Sequence, residues 1–145
     1  MVKKTKYSNK YLPKTLSKKD QKKQKKSLNK SRKDYLSKKY YTRPKVKSYK
    51  SRPSNWTQKF HKLYPNVKSY NEISKVTGIP VQALKAVVRK GKGAYYSSGS
   101  RPNQTAESWG KARMYSYILG GKTRKVDNHI TKKYNVKFKH KSKQE

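Results

Sequence analysis

Cysteine is absent from the 145 residues, which removes disulfides, thiolate zinc sites and thiol catalysis in one step. Acidic side chains are nearly as scarce. Six Asp+Glu stand against 41 Lys+Arg, a formal net charge of +35 at pH 7. No run approaches the ~18 apolar residues of a membrane span; apolar runs reach only three residues, as at Ala86-Val87-Val88, so no integral membrane protein is expected. The first residues lack the apolar stretch of a secretory signal. Only 30% of residues are apolar, and 13 tyrosines supply much of that share. Low hydrophobicity with high net charge leaves a large part of the chain unable to bury enough surface to fold alone. The length admits one ordinary domain at most.

Catalytic chemistry has little to work with. The acids Asp20, Asp34, Glu72, Glu107, Asp127 and Glu145 are dispersed, whereas metal-dependent nucleases need several convergent carboxylates. His61, His129 and His140 share no metal-ligand spacing. Asp127-Asn128-His129 reads as a surface turn in preference to half of an acid–base site. No serine or threonine sits in a nucleophile elbow. Gly120-Gly121-Lys122-Thr123 looks like the end of a P-loop, but Ser116 stands where that pattern needs glycine, and the stretch follows a helix instead of a strand. No enzyme, metal or cofactor is expected. The Asn-X-Ser/Thr matches at Asn29, Asn55 and Asn103 read as chance.

What is abundant is positive charge. Compacted into one particle, 35 uncompensated charges repel one another. The chain therefore implies a polyanionic partner, with nucleic acid and acidic proteins of a large assembly as equal candidates. Ordinary solubility needs a net charge of only ~2–8. Lysine far outnumbers arginine, and lysine is a hydrated point charge where arginine forks onto a base or phosphate. That choice suits sequence-blind neutralisation more than base reading.

The charge is unevenly placed. Residues 1–53 read as a basic arm: residues 1–52 hold 21 Lys+Arg against only Asp20 and Asp34. Lys18, Lys19, Lys22, Lys23, Lys25 and Lys26 form its densest block and are the first candidates to meet a polyanion. The block also looks like a nuclear-localisation signal. Apolar residues are scattered too thinly to hold a core, so the arm is expected to be extended or disordered in isolation. Asp20 to Leu36 is expected to turn helical when bound, while Arg43-Pro44 and Arg52-Pro53 favour extended chain. Residues 54–130 read as a small, mainly α domain, a helical hairpin plus a third helix. Residues 131–145 read as a basic tail in which Tyr134, Val136 and Phe138 alternate with polar residues, as in a short strand or extended clamp.

Within the domain, Asn71 is placed to cap a short helix over residues 72–77 that Gly78 stops. Pro80 opens a second helix, with Leu84, Val87 and Val88 on its inner face and Gly91 at its end. The outline is that of a helix-turn-helix, which would lay Gln82, Lys85 and Arg89 in a DNA groove. A hairpin that merely packs the core fits the same residues. Residues 91–103, rich in glycine and serine, read as a loop. Lys92 and Arg101 of that loop are expected to face a polyanion, and Tyr95 and Tyr96 to cover the core. Thr105 is placed to cap a third helix over Ala106 to Leu119, anchored by Trp109 and stopped by Gly120-Gly121. Lys122, beside that pair, is a further phosphate-contact candidate. Arg101 and Arg113 fit either hydrogen bonds to carbonyls or a ligand-facing pair.

The block from Ile73 to His129 contains Thr77-Gly78-Ile79-Pro80, Gly91-Lys92-Gly93-Ala94-Tyr95 and the run from Ser98 to Thr105. Ser108-Trp109-Gly110-Lys111-Ala112-Arg113, Gly120-Gly121-Lys122-Thr123 and Asp127 follow. In order and spacing this block resembles an uncharacterised domain family of large double-stranded-DNA viruses and tailed phages. The resemblance implies a viral setting and a particle-associated role, and carries no activity. The expectation is a non-enzymatic minor capsid or inner-shell protein, located in the virion and entering the host nucleus during assembly. Its arm would dock on acidic capsid proteins and touch packaged double-stranded DNA. The rival expectation is a DNA-binding or DNA-compacting protein that uses the helical pair and the arm.

Overall fold

A computed structural model describes residue 7, residues 11–49 and residues 54–141. Arg52-Pro53, Glu145 and the end of the basic tail lie outside them. The described residues are mainly α-helical, as expected, with seven helices and no strand. In chain order these are α1 (Lys18–Leu36), α2 (Asn55–Leu63), α3 (Tyr70–Thr77), α4 (Val81–Ser97), α5 (Ala106–Leu119), α6 (Thr123–Val126) and α7 (Asn128–Lys133). The chain divides into two compact units, Met1–Arg52 with Gly93–Ala106, and Pro53–Lys92 with Glu107–Glu145. These units do not follow the expected boundaries at 53 and 130: residues 93–106 group with the N-terminal segment.

In the first unit, Ser17 caps α1 by accepting the Asp20 N–H at 3.2 Å. Asp20 also places negative charge in the first turn, where the helix dipole favours it. Gln24, Ser27, Leu28 and Ser31 are buried, an i, i+3, i+4, i+7 pattern that defines one face. That face is mostly polar, and hydrogen bonds hold it. The Gln24 amide donates to the Tyr11 carbonyl at 3.1 Å and the Ser31 hydroxyl to the Tyr96 carbonyl at 3.0 Å. Arg43, 6% exposed, lies at the centre. Its guanidinium donates to Tyr95 O at 2.7 Å, Ser31 Oγ at 3.1 Å and Ser100 Oγ at 2.5 Å. It also sits 3.8 Å from the centre of the Tyr95 ring. Asn103 locks the following segment, accepting the Val46 N–H at 2.7 Å and donating to the Val46 carbonyl at 3.2 Å. The stretch read as an arm therefore contains a helix with a buried face, covered by residues from the middle of the chain. Sequence reading missed this because the cement is polar.

The second unit has an ordinary apolar core built from Phe60, Ile73, Ile79, Leu84, Val87, Met114, Tyr117 and Ile118, with others. α3 begins at Ser69, not Asn71. Ser69 Oγ accepts the Glu72 N–H and Glu72 Oε1 accepts the Ser69 N–H, both at 3.2 Å, a capping box. Gly78, at φ 75°, closes that helix in the left-handed conformation, as expected. The second helix, however, does not stop at Gly91; α4 continues to Ser97, and the expected loop shrinks to residues 98–105. A Cβ on Gly91 would lie 2.6 Å from the Gly110 Cα, and one on Gly110 only 2.7 Å from the Val88 carbonyl oxygen. These glycines let the α4 and α5 backbones touch, and neither ends a helix. Beyond α7 the chain is non-helical. Val136 is buried, Tyr134 and Phe138 are partly buried, and Asn135 and Lys137 are exposed, but Asn135 takes a left-handed φ of 51° in a turn, and residues 134–138 form no strand.

Gly110→Ala tests this crossing. Alanine gains about 1 kcal/mol of helix propensity, but forcing a methyl into the backbone contact costs about 1–3 kcal/mol. The expected result is a lowered denaturation midpoint in helical circular dichroism; a raised midpoint would show that the helices do not cross there.

Candidate polyanion interface

The lysines singled out in the N-terminal block share one surface. Lys18, Lys19, Lys22, Lys23, Lys25 and Lys26 are all exposed, and at 100° per residue they fall opposite the buried face of α1. Exposed Lys30 and Lys33 extend the same side. From Lys18 to Lys33 the helix runs about 22 Å at ~1.5 Å per residue. The carboxylates of α1 leave most of this charge unanswered. Asp34 holds Lys30 at 3.2 Å. Asp20 Oδ2 accepts the Ser48 N–H at 2.8 Å and the Ser48 hydroxyl at 2.5 Å, and these bonds hold its carboxyl below the usual range.

The other candidates are divided. Lys85, Arg89 and Lys92 stand at i, i+4 and i+7, one stripe along the part of α4 that belongs to the second unit. Lys85 and Arg89 are exposed and Lys92 is half-buried. Gln82 is exposed too. Lys122 is exposed in the turn before α6, and Arg101 is exposed in the loop of the first unit. Trp109 is only half-buried; the large, fully enclosed side chains of this unit include Phe60, Tyr117 and Met114. Tyr95 is fully buried, as expected, whereas Tyr96 is partly exposed.

Arg113 and Asp127 correct a further expectation. Asp127 is not in a surface turn: it is 0% exposed at the start of α7 and accepts Arg113 Nε at 2.8 Å and Nη2 at 2.7 Å. The pair is bidentate, the strongest geometry available to a guanidinium. Arg124 does related work, donating to the Tyr117 and Ile118 carbonyls at 2.8 and 2.7 Å near the end of α5. Arg43, absent from the expected site residues, is the main omission. The signal that pointed elsewhere was Arg43-Pro44, which read only as a mark of extended chain.

Among the described residues, no group of three or more His, Cys, Asp or Glu side chains is placed to hold a metal ion. No described helix is long and apolar enough to cross a membrane. Two shallow cavities of about 230 and 250 Å³ lie in the second unit, lined mainly by lysine, aromatic and aliphatic side chains. His140 lines the smaller and is bonded to the Tyr64 hydroxyl at 2.8 Å.

Fold and surface together define a small, mainly helical, strongly basic protein in which, among the described residues, the ion pairs are Lys30–Asp34 and Arg113–Asp127. The chain belongs to the family described as a family of unknown function (DUF5824), whose model matches residues 8–141. No curated protein and no solved structure matches it.

Asp127→Ala is expected to destabilise the second unit by about 3 kcal/mol, because it leaves the largely buried Arg113 charge uncompensated. Arg113→Met/Asp127→Leu removes both charges and is expected to recover most of that loss. Chemical denaturation of the three proteins measures the difference.

Proposed function

We propose that this protein is a non-enzymatic structural component of a large DNA-virus particle, a minor capsid or inner-shell protein that docks its lysine face on acidic neighbours. One observation carries the reading: α1 presents eight exposed lysines on one side of a helix whose other side is held by hydrogen bonds from Gln24, Ser31 and Arg43 that use no carboxylate. Such a face needs negative charge and little else, which suits sequence-blind contact with acidic protein surfaces. The viral setting rests on the resemblance of residues 73–129. Residues of that block do structural work: Gly91 and Gly110 form the helix crossing, Arg113 and Asp127 the buried pair, Ser100 and Asn103 the bonds to Arg43 and Val46. A block used to hold a fold favours a scaffold over an enzyme. The virion is the proposed location, with the host nucleus as the place of assembly.

A second reading, binding or compaction of double-stranded DNA through the helical pair and the lysine-rich arm, is favoured by the Lys85, Arg89 and Lys92 stripe. It follows a glycine turn after α3, and the stripe sits on the face of α4 away from Leu84 and Val87.

The two readings separate on one set of variants. Changing Lys19, Lys22, Lys23 and Lys26 to glutamine leaves helix content intact, because all four are exposed. Docking on acidic neighbours predicts that this variant loses binding to poly-glutamate and to the purified particle. Its log–log salt slope for duplex DNA then changes little. Duplex binding through α1 predicts a slope smaller in magnitude by about 3–4, at ~0.9 per lysine. Cross-linking in the intact particle is expected to join α1 lysines to acidic shell proteins; cross-links confined to genome-bound proteins would overturn the shell position.

A further inference from the structure

Large exposed side chains gather at the C-terminal end of α1. Leu36 is 86% exposed and Tyr40 is 68% exposed. Tyr35 and Tyr96 stack with centroids 6.0 Å apart and planes 11° apart. Tyr40 closes on both, 5.2 Å from Tyr96 and 6.2 Å from Tyr35, tilted to each. A turn builds the cluster. The N–H groups of Ser37 and Lys39 both donate to the Asp34 carbonyl, and Lys38 takes a left-handed φ of 61°. The chain reverses, and Tyr40 returns onto Tyr35. Asn103 and Asn135 also have positive φ, but asparagine tolerates that conformation and lysine does not. A glycine would make this turn more easily. An unfavourable residue at an exposed turn points to use of its side chain.

We propose that Tyr35, Tyr40 and Tyr96, with Lys38 and Lys39, form a stacking platform for the unpaired bases of single-stranded nucleic acid. Aromatic faces beside uncompensated cations are the combination that single strands bind: the rings take the bases and the ammonium groups take the phosphates. Lys38 and Lys39 are exposed, and the nearest acid in sequence, Asp34, is occupied by Lys30. In a duplex the bases stack on one another and offer the rings no free face. An apolar peptide would use Leu36 and the rings but leave the lysines idle. The platform is independent of the acidic-neighbour reading, because the lysine face of α1 requires only charge, whereas this site requires bases.

The test titrates the full chain, at one salt concentration, with an oligodeoxythymidylate, an abasic strand of equal length and a duplex. The thymidylate is expected to bind about ten-fold more tightly than the abasic strand. Tyr40→Ala erases most of that advantage and leaves abasic and duplex binding within about two-fold of the native protein. Tyr40→Phe keeps the ring and the advantage. Unchanged circular dichroism shows that the Tyr40→Ala protein is folded. Equal affinity of the native protein for thymidylate and abasic strands overturns the proposal, as does an equal loss for all three ligands in Tyr40→Ala. Binding of an uncharged aromatic peptide that Tyr40→Ala abolishes, with no dependence on bases, assigns the patch to a protein partner instead.

Discussion

The constraint that shapes this protein is a shortage of counter-charge. Each acid in the described residues has a local structural task. Asp20 ties the start of α1 to Ser48, Asp34 takes Lys30, Glu72 completes a capping box, Glu107 sits in the first turn of α5, and Asp127 is buried against Arg113. Lys30 apart, none of these acids is paired with an exposed lysine of α1. An isolated molecule therefore carries its repulsion on its surface, and that repulsion opposes compaction until something negative arrives. The same shortage explains how Arg43 is buried. With no carboxylate to pair it, the guanidinium is met by two hydroxyls, a carbonyl and the face of Tyr95. Burial lowers its pKa from the usual arginine value, though an arginine side chain stays charged in a protein.

The two units solve cohesion by different physics. The second has enough aliphatic and aromatic residues for a packed core, and its special devices are a glycine crossing and one bidentate ion pair. The first buries few large apolar side chains, chiefly Leu16, Leu28, Val46 and Tyr95. It relies on directed hydrogen bonds from Gln24, Ser31, Arg43 and Asn103. Such a network is strong only when complete, since each buried polar group that loses its partner costs more than the bond contributed. The expectation of disorder in an isolated arm and the presence of a helix here are thus compatible: α1 gains its buried face only with residues 93–106 against it.

Much of this was legible in the residues. The bounds of α5, the left-handed Gly78 and the exposure of the lysine block follow from periodicity, glycine chemistry and charge. So does a helix over Asp20 to Leu36, expected only for a bound arm; the observed helix begins two residues earlier, at Lys18. The misses have a common cause. Gly91 reads locally as a stop signal, whereas it and Gly110 serve a close backbone approach between the consecutive helices α4 and α5. Asp127 was read locally as a turn, and its partner lies fourteen residues earlier on α5. Trp109 was given the role of anchor by size alone, yet Phe60, from outside the matched block, is more deeply buried. Tertiary pairing decides each of these, and local pattern does not carry it.

A division of labour follows within this chain. The glycines, Arg113, Asp127, Ser100 and Asn103 face inward and make the fold self-consistent. The densest run of exposed cations and the most exposed tyrosine lie before residue 54, within the stretch that the family model matches. Internal residues are committed to neutral or paired contacts, so their replacement acts through stability. The outer residues of α1 and of its closing turn have no comparable internal duty, so their replacement acts through what they touch. A protein built this way can change partners by altering one helix face while its scaffold stays the same. The dense lysine face lies on α1 and the aromatic turn just beyond its end, so either can be altered without changing the other.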